Sequence, residues 1–401
     1  MINKQTDGCV LHGTEATFGG LGIAPQLLDV ISRMGFTAPT SIQQKAIPVA
    51  VEGKDIIGIA QTGTGKTLAF GVPLIQQILK NKKGKGLIIL PTRELALQVE
   101  ETMRDIGGVF GIKTAVLIGG ASMYNQVRLI RNNPHIVIGT PGRINDHIEK
   151  RTLSLNDVSI LVLDEADRMF DMGFAPQIKK ILQVVPKNRQ TMLFSATMPD
   201  GIVKIASTHM KLPVRVEIAK SGTTAKDVEH ELFVVKREQK VSLLKKILAD
   251  CKGSVLIFLR LKHNARKICF GLRDIGISAA EIHSNRSLGQ RKEALEGFKL
   301  GRYRVLVATD IASRGIDVKG IELVIDFDLP ENPEDYVHRI GRTGRAGMTG
   351  KAISFCLPDQ GDKVREIEKL TRLYLPISKL PELPPATPIR PGGRSNYGRR
   401  R

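Results

Sequence analysis

Two stretches of this 401-residue chain carry side chains whose types and spacing could do chemistry. The first is AQTGTGKT, residues 60–67, made of Ala60, Gln61, Thr62, Gly63, Thr64, Gly65, Lys66 and Thr67. Glycines at 63 and 65 let backbone N–H groups converge on phosphate oxygens where a helix begins. Lys66 can reach the β- and γ-phosphates of a nucleotide, and the Thr67 hydroxyl can ligate Mg²⁺. The strict form of this loop starts with glycine; here Ala60 stands in that place. The second stretch is ILVLDEADRMF, residues 160–170, where four apolar residues run into Asp164, Glu165 and Asp167. Carboxylates at the end of a buried strand are costly unless a cation meets them. Beside a phosphate loop that cation is Mg²⁺, held by Asp164 through water because the ion keeps much of its hydration shell. Glu165 would then orient or deprotonate an attacking water.

Such residues need rigid elements behind them. Short apolar runs recur as IIGIA (56–60), GLIIL (86–90), TAVLI (114–118), HIVIG (135–139), ILVL (160–163) and TMLF (191–194), several separated by helix-like stretches. Strands alternating with helices predict an α/β fold with a mostly parallel sheet covered on both faces. The pattern restarts with LFVV (232–235), SVLIF (254–258), YRVLVAT (303–309), ELVIDF (322–327) and KAISF (351–355). Between the halves lies the polar AKSGTTAKD. The division expected is a first domain over 1–218, a linker over 219–227, a second domain over 228–375 and a basic disordered tail over 376–401.

The net charge of +20 implies a polyanionic partner, nucleic acid before membrane surface. With 42% apolar and 25% charged residues the chain has the composition of a globular protein. Its 4 cysteines lie far apart and form no CxxC pair, so a zinc ribbon is not expected and reduced thiols in a cytoplasmic setting are. No stretch reaches the ~18 apolar residues of a membrane span. Trp is absent and aromatics make up 4%, which speaks against aromatic stacking platforms for bases.

In order along the chain stand GFTAPTSIQ (35–43), AQTGTGKT (60–67), PTRELALQ (91–98), Gly119-Gly120, TPGR (140–143), DEAD (164–167), SAT (195–197), VLIFLRLK (255–262), TDIASRGID (309–317) and HRIGRTGR (338–345). That series resembles the DEAD-box ATP-dependent RNA helicases over residues 18 to 375, and the short basic tail resembles the bacterial RhlE-type branch. The resemblance implies two tandem RecA-like domains and RNA-dependent ATP hydrolysis, with ATP and Mg²⁺ as cofactors, coupled to local separation of RNA strands. It implies that Gln43 reads the adenine edge, Phe18 packs on the adenine and Asp317 approaches the ribose. Ser195 and Thr197, with Asp167 and His338, would couple hydrolysis to unwinding. The arginines of HRIGRTGR can offset charge on a γ-phosphate in the transition state; by family position these are Arg342 and Arg345, while His338 and Arg339 are expected to bridge to first-domain motifs. Those arginines lie beyond the linker from Lys66 and Glu165, so the site is expected to assemble on domain closure, with RNA and ATP aiding each other's binding.

RNA contacts are expected to be to backbone, from Thr92, Arg93, Gly120, Thr140 and Arg143 at helix starts of the first domain. Arg291, Thr309 and Arg314 would extend that track over the second. Two positions depart from the family pattern, Ser41 where proline is frequent and Leu288 where glutamine is. Two other functions compete: an ATP-gated RNA clamp with little unwinding, and a DNA translocase. Protein partners in ribosome assembly or RNA decay are the ones such an activity implies.

Overall fold

The computed structural model describes residues 17–61, 63–81, 84–218, 228–310, 321–344 and 350–383. The chain divides into two compact units, Met1–Lys220 and Ser221–Arg401. The boundary falls inside the stretch read as a linker, which itself lies outside the described residues, as do Thr62, Arg314, Asp317, Arg345 and the last 18 positions.

In the first unit the strands are β1 (Ile56–Ile59), β2 (Lys85–Ile89), β3 (Thr114–Leu117), β4 (Ile136–Gly139), β5 (Val158–Leu163), β6 (Gln190–Ser195) and β7 (Val214–Glu217). They form one parallel sheet in the order β3-β4-β2-β5-β6-β1-β7. The helices are α1 (Pro25–Arg33), α2 (Ser41–Val51), α3 (Lys66–Lys80), α4 (Arg93–Gly107), α5 (Met123–Arg131), α6 (Pro141–Glu149), α7 (Ala166–Asp171), α8 (Ala175–Val184) and α9 (Asp200–His209). The central strands β1, β4 and β6 are buried at every position, as apolar runs without alternation require in a sheet covered on both faces.

The second unit repeats this plan with β8 (Val228–Val234), β9 (Val255–Leu259), β10 (Ala279–Ile282), β11 (Val305–Thr309), β12 (Leu323–Asp326) and β13 (Gly350–Cys356). Its parallel sheet has the order β10-β11-β9-β12-β13-β8. Here the helices are α10 (Lys240–Asp250), α11 (Lys262–Arg273), α12 (Leu288–Lys299), α13 (Pro333–Ile340) and α14 (Gly361–Thr371).

All the apolar runs read as strands are strands. Two edge strands were not anticipated. β7 buries only one of its four residues, and β10 is the short, alanine-rich AAEI. The expected disordered tail also begins too early. Leu232 bonds to Pro376 and Ser378 through its backbone, and Leu380 and Leu383 pack on the core beside β8, so residues 376–383 extend the fold. Leu375 joins the buried cluster around Leu232, while Ile377 stays exposed.

Candidate active site and nucleic-acid interface

In a parallel sheet every strand ends on the same edge, so loops after neighbouring strands become neighbours. The order β5-β6-β1 therefore brings together the three segments DEAD, SAT and AQTGTGKT, although they are distant in sequence. Ile59 lies opposite Ser195, and the Ala60 N–H donates to the Ser195 carbonyl at 3.0 Å. From there the chain turns at Gly63 (φ 84°) and Gly65 (φ 88°) and enters α3 at Lys66. Gly65 serves twice: its φ is in the left-handed region, and a Cβ there would lie 2.4 Å from the Gln43 amide nitrogen.

Lys66 is 6% exposed, yet its Nζ has no hydrogen-bond partner. The nearest counter-charge is Asp164 Oδ1 at 3.8 Å. A buried ammonium left in this way is costly by itself; a phosphate arriving between the loop and Asp164 would satisfy it. Asp164 is 3% exposed, and burial pushes its carboxyl up from 3.8 to about 6, against the pull of Lys66 and with the push of Glu165. These are donors and acceptors that fit a triphosphate with its cation. Among the described residues no group of three or more His, Cys, Asp or Glu could hold a metal. A Mg²⁺ ion bound through one carboxylate, a hydroxyl and phosphates needs no such group.

Glu165 caps α7 in the left-handed region (φ 50°, ψ 49°), a conformation that costs a non-glycine residue about 1–3 kcal/mol and is typical of functional turns. Its Oε2 accepts from Arg168 Nη1 at 2.8 Å, with both side chains buried. Asp167 points the other way. Its Oδ2 accepts from the N–H groups of Ala196 (3.0 Å) and Thr197 (2.8 Å) and from Thr197 Oγ1 (3.1 Å). Its own N–H donates to Ser195 Oγ. The last acid of the DEAD sequence thus fastens the 195–197 segment to the end of β5. Gln43 is tied to the phosphate loop, with Nε2 donating to the Gly65 carbonyl at 3.0 Å and Oε1 accepting from Thr40 N–H at 2.8 Å in a capping box. Phe18 is buried in a short 3₁₀ turn, and Thr67 is half-buried.

The other half of the same sheet edge carries the residues expected to meet RNA. Thr92 follows β2 and caps α4, its Oγ1 accepting from Leu95 N–H. Thr140 follows β4 and caps α6. The turn at Gly119-Gly120 follows β3, and Gly120 (φ 78°) lies so close under Arg93 that a Cβ would sit 2.4 Å from Nη1. Arg143 donates to the Ala121 carbonyl at 3.1 Å and pairs with Asp146 at 3.2 Å. All five expected residues therefore gather at the ends of β3, β4 and β2. Two supports behind them escaped the sequence reading. Gln126 holds the Ile118 and Ala121 carbonyls, and fully buried His147 faces Gln126 Oε1 at 3.2 Å. Burial, then Arg143, lowers the His147 pKa, so the ring stays neutral. Nothing local in the sequence marks either residue; only the adjacency of β3 and β4 does.

In the second unit Thr309 ends β11, and Arg291 is buried on α12 behind the Ser287 cap. Arg339 corrects an expectation. Its guanidinium grips Asp310 through Nε (2.6 Å) and Nη2 (2.7 Å), Asp326 through Nη1 (2.6 Å) and the Asp328 carbonyl (2.7 Å). It also lies 5.1 Å from the centre of the Phe258 ring. At 2% exposed it has become a tie inside its own unit, where four acceptors take four of its five N–H groups. His338 is half-buried on the same helix. Arg342 follows that helix, buried, with Nε donating to the His338 carbonyl at 3.2 Å.

A parallel-sheet unit with a phosphate loop, an acidic strand end and a third strand wired to it, followed by a second parallel-sheet unit, defines a P-loop nucleotide hydrolase of the two-domain helicase class. Residues 40–205 match the DEAD/DEAH box helicase family and residues 239–347 the helicase conserved C-terminal domain. The chain belongs to the DEAD-box ATP-dependent RNA helicase family. It is 42% identical over 369 residues to "DEAD-box ATP-dependent RNA helicase CshA" of Geobacillus kaustophilus, covering 92% of this chain and 79% of that protein. It is 44% identical over 356 residues to "ATP-dependent RNA helicase DbpA" of Bacillus subtilis, covering 88% and 74%. Among solved structures, Mss116p bound to single-stranded RNA and AMP-PNP matches with TM-score 0.82 at 28% identity, covering 90% of this chain and 78% of that one. Saccharomyces cerevisiae Dbp5 bound to RNA and ADP–BeF₃ matches with TM-score 0.80 at 29% identity, covering 90% and 95%.

Proposed function

We infer that this protein is an ATP-dependent RNA helicase, which hydrolyses ATP when RNA is bound and uses the cycle to separate short RNA duplexes locally. The observation that carries the reading is the buried, unpartnered Lys66 Nζ facing Asp164 at the mouth of β1, with Asp167 wiring the same strand end to residues 195–197. Lys66 and the loop N–H groups take the β- and γ-phosphates. Thr67 and Asp164 would hold Mg²⁺, which supplies charge neutralisation across the phosphates. Glu165, oriented by Arg168, positions or deprotonates the attacking water. Gln43 spends one N–H on the Gly65 carbonyl of the loop and one lone pair on the Thr40 N–H, which leaves its second N–H for the adenine edge beside Phe18. Asp317 is assigned to the ribose, and Arg342 and Arg345 to the charge that builds on the γ-phosphate.

RNA is held by its backbone along Thr92, Arg93, Gly120, Thr140 and Arg143, and on the second unit by Arg291, Thr309 and Arg314. Ser195, Thr197, Asp167 and His338 couple the two functions. No helix of the described residues is long and apolar enough to cross a membrane, and a cytoplasmic role beside ribosomal or RNA-decay proteins is the setting we propose. Placement in an RhlE-type branch rests on the basic tail; the relatives above carry the names CshA and DbpA.

Glu165→Gln keeps the side chain's shape and removes its negative charge. ATP turnover stimulated by RNA should fall by orders of magnitude while ATP and RNA still bind. Duplex release by the wild type, compared with ATP and with a non-hydrolysable analogue, separates a helicase from an RNA clamp. Equal stimulation by DNA would point to the translocase instead.

A further inference from the structure

The end of β10 lines a pocket to which the helicase reading assigns no ligand. Side chains on a strand alternate between faces. Ala280 and Ile282 point into the core beneath α12, whereas Ala279 joins Ala265, Ile268 and Leu272 beneath α11. Glu281 therefore also faces α11, and His283, two residues on, follows it. These two groups form the floor of a pocket of about 480 Å³. Its wall is one stripe of α11, where Lys262, Arg266 and Phe270 recur every four residues, one above another.

The floor is polar and only loosely paired. Glu281 and His283 are 8% and 5% exposed, and Glu281 Oε2 and His283 Nε2 face each other at 3.5 Å with no hydrogen bond made by either. His283 Nδ1 accepts from Asn285 N–H at 3.3 Å, which puts the ring proton on Nε2. Burial lowers the pKa of this ring, with Glu281 opposing and Arg286 and Lys262 assisting, so the imidazole is a neutral donor. The floor thus presents a donor and an acceptor that meet each other only at 3.5 Å, with Arg286 Nη1 equally far from Glu281 Oε1, a loose set that leaves carboxylate lone pairs for a ligand. Around them stand Lys262, Arg266, Lys267 and Arg286, while Phe270, 66% exposed, lays an apolar ring in water at the wall.

A nucleotide answers all three features. Its phosphate suits the cationic rim, the flat face of its base suits the Phe270 ring, and its base edge carries a donor next to an acceptor. β10 is parallel to β11 and adjacent to it, so the pocket lies on the sheet edge where Thr309 ends β11. We propose that this pocket takes the base of one RNA nucleotide flanking the stretch held by backbone contacts, stacked on Phe270 with its edge on Glu281 and His283. This assignment rests on reading Thr309 and Arg291 as part of the RNA track. It makes the enzyme prefer a single-stranded nucleotide next to the bound stretch, one whose base is free to turn outward.

The test uses the intact protein with a non-hydrolysable ATP analogue and fluorescence anisotropy on single-stranded RNAs, lengthened one nucleotide at a time at either end. Binding should tighten when one particular end position is added. Phe270→Ala, at an exposed site that does not endanger the fold, should lose on the order of tenfold in affinity for the longer RNA and none for the shorter. An abasic nucleotide at that position should cost the wild type the same factor, and the two losses should not add. Equal loss on both RNAs, no loss at all, or full additivity with the abasic site would overturn the proposal. Loss of the length effect on adding AMP or GMP would also overturn it, by assigning the pocket to a free nucleotide. A wild type without RNA-stimulated ATP turnover would instead sink the helicase reading, so the two failures are distinguishable.

Discussion

Asp164→Asn should make the nucleotide-free protein more stable while abolishing its turnover. The Asp164 carboxyl is raised from 3.8 to about 6 because burial outweighs the attraction of Lys66. At about 1.36 kcal/mol per pKa unit, the charged form costs the native state about 3 kcal/mol. The sign follows from proton binding. Between pH 3.8 and about 6 the native carboxyl holds its proton more tightly than the unfolded one, so the stability this group contributes is present below that window. It is lost as pH rises through about 6 and is absent at pH 7. Asparagine, neutral throughout, escapes the loss. Urea unfolding followed by far-UV circular dichroism and fitted as one transition per unit should show only the first unit's transition move upward in the variant. The gain should approach 3 kcal/mol at pH 7 and shrink toward zero near pH 4. Mg²⁺ with an ATP analogue should raise the wild-type transition by binding linkage and leave the variant's where it was. A variant less stable than wild type at pH 7, or a difference that does not change with pH, would refute the reasoning.

Asp167→Ala removes the acceptor of two backbone N–H groups and a hydroxyl in the 195–197 segment. At about 1–3 kcal/mol for each part-buried group left unpaired, hydrogen exchange of that segment should quicken by tenfold or more, and duplex release should fall further than ATP turnover. Gly65→Ala places a side chain in left-handed backbone and against Gln43 Nε2; with about 1–2 kcal/mol of conformational strain alone, ATP affinity measured by calorimetry should drop by at least tenfold. Arg339→Lys cannot reproduce a fork onto Asp310 and Asp326 together. It should lower the second unit's urea transition by about 3–5 kcal/mol and leave the first unit's unchanged.

What could be read from residue order is what short-range chemistry determines. The phosphate loop, the acidic strand end and the helix starts at Thr92 and Thr140 each occupy a few consecutive residues, and at Thr92 the side chain itself meets a backbone N–H of the helix it caps. Buried strands such as β1 and β5 show as continuous apolar runs because both their faces lose water. An edge strand has no such signature. β7 keeps three of its four residues out of the core, and β10 is held by alanines too small to mark it, so neither was legible. The same edge strand, β10, supplies the pocket floor. Tertiary structure alone decided which distant groups meet. Sheet order places β6 between β5 and β1, and only that order sets Asp167 on Thr197 and Asp164 opposite Lys66. Arg339 reads in sequence as one more arginine of a basic loop; in the fold two carboxylates and a carbonyl surround it, and a cation that is 2% exposed must be spent on them.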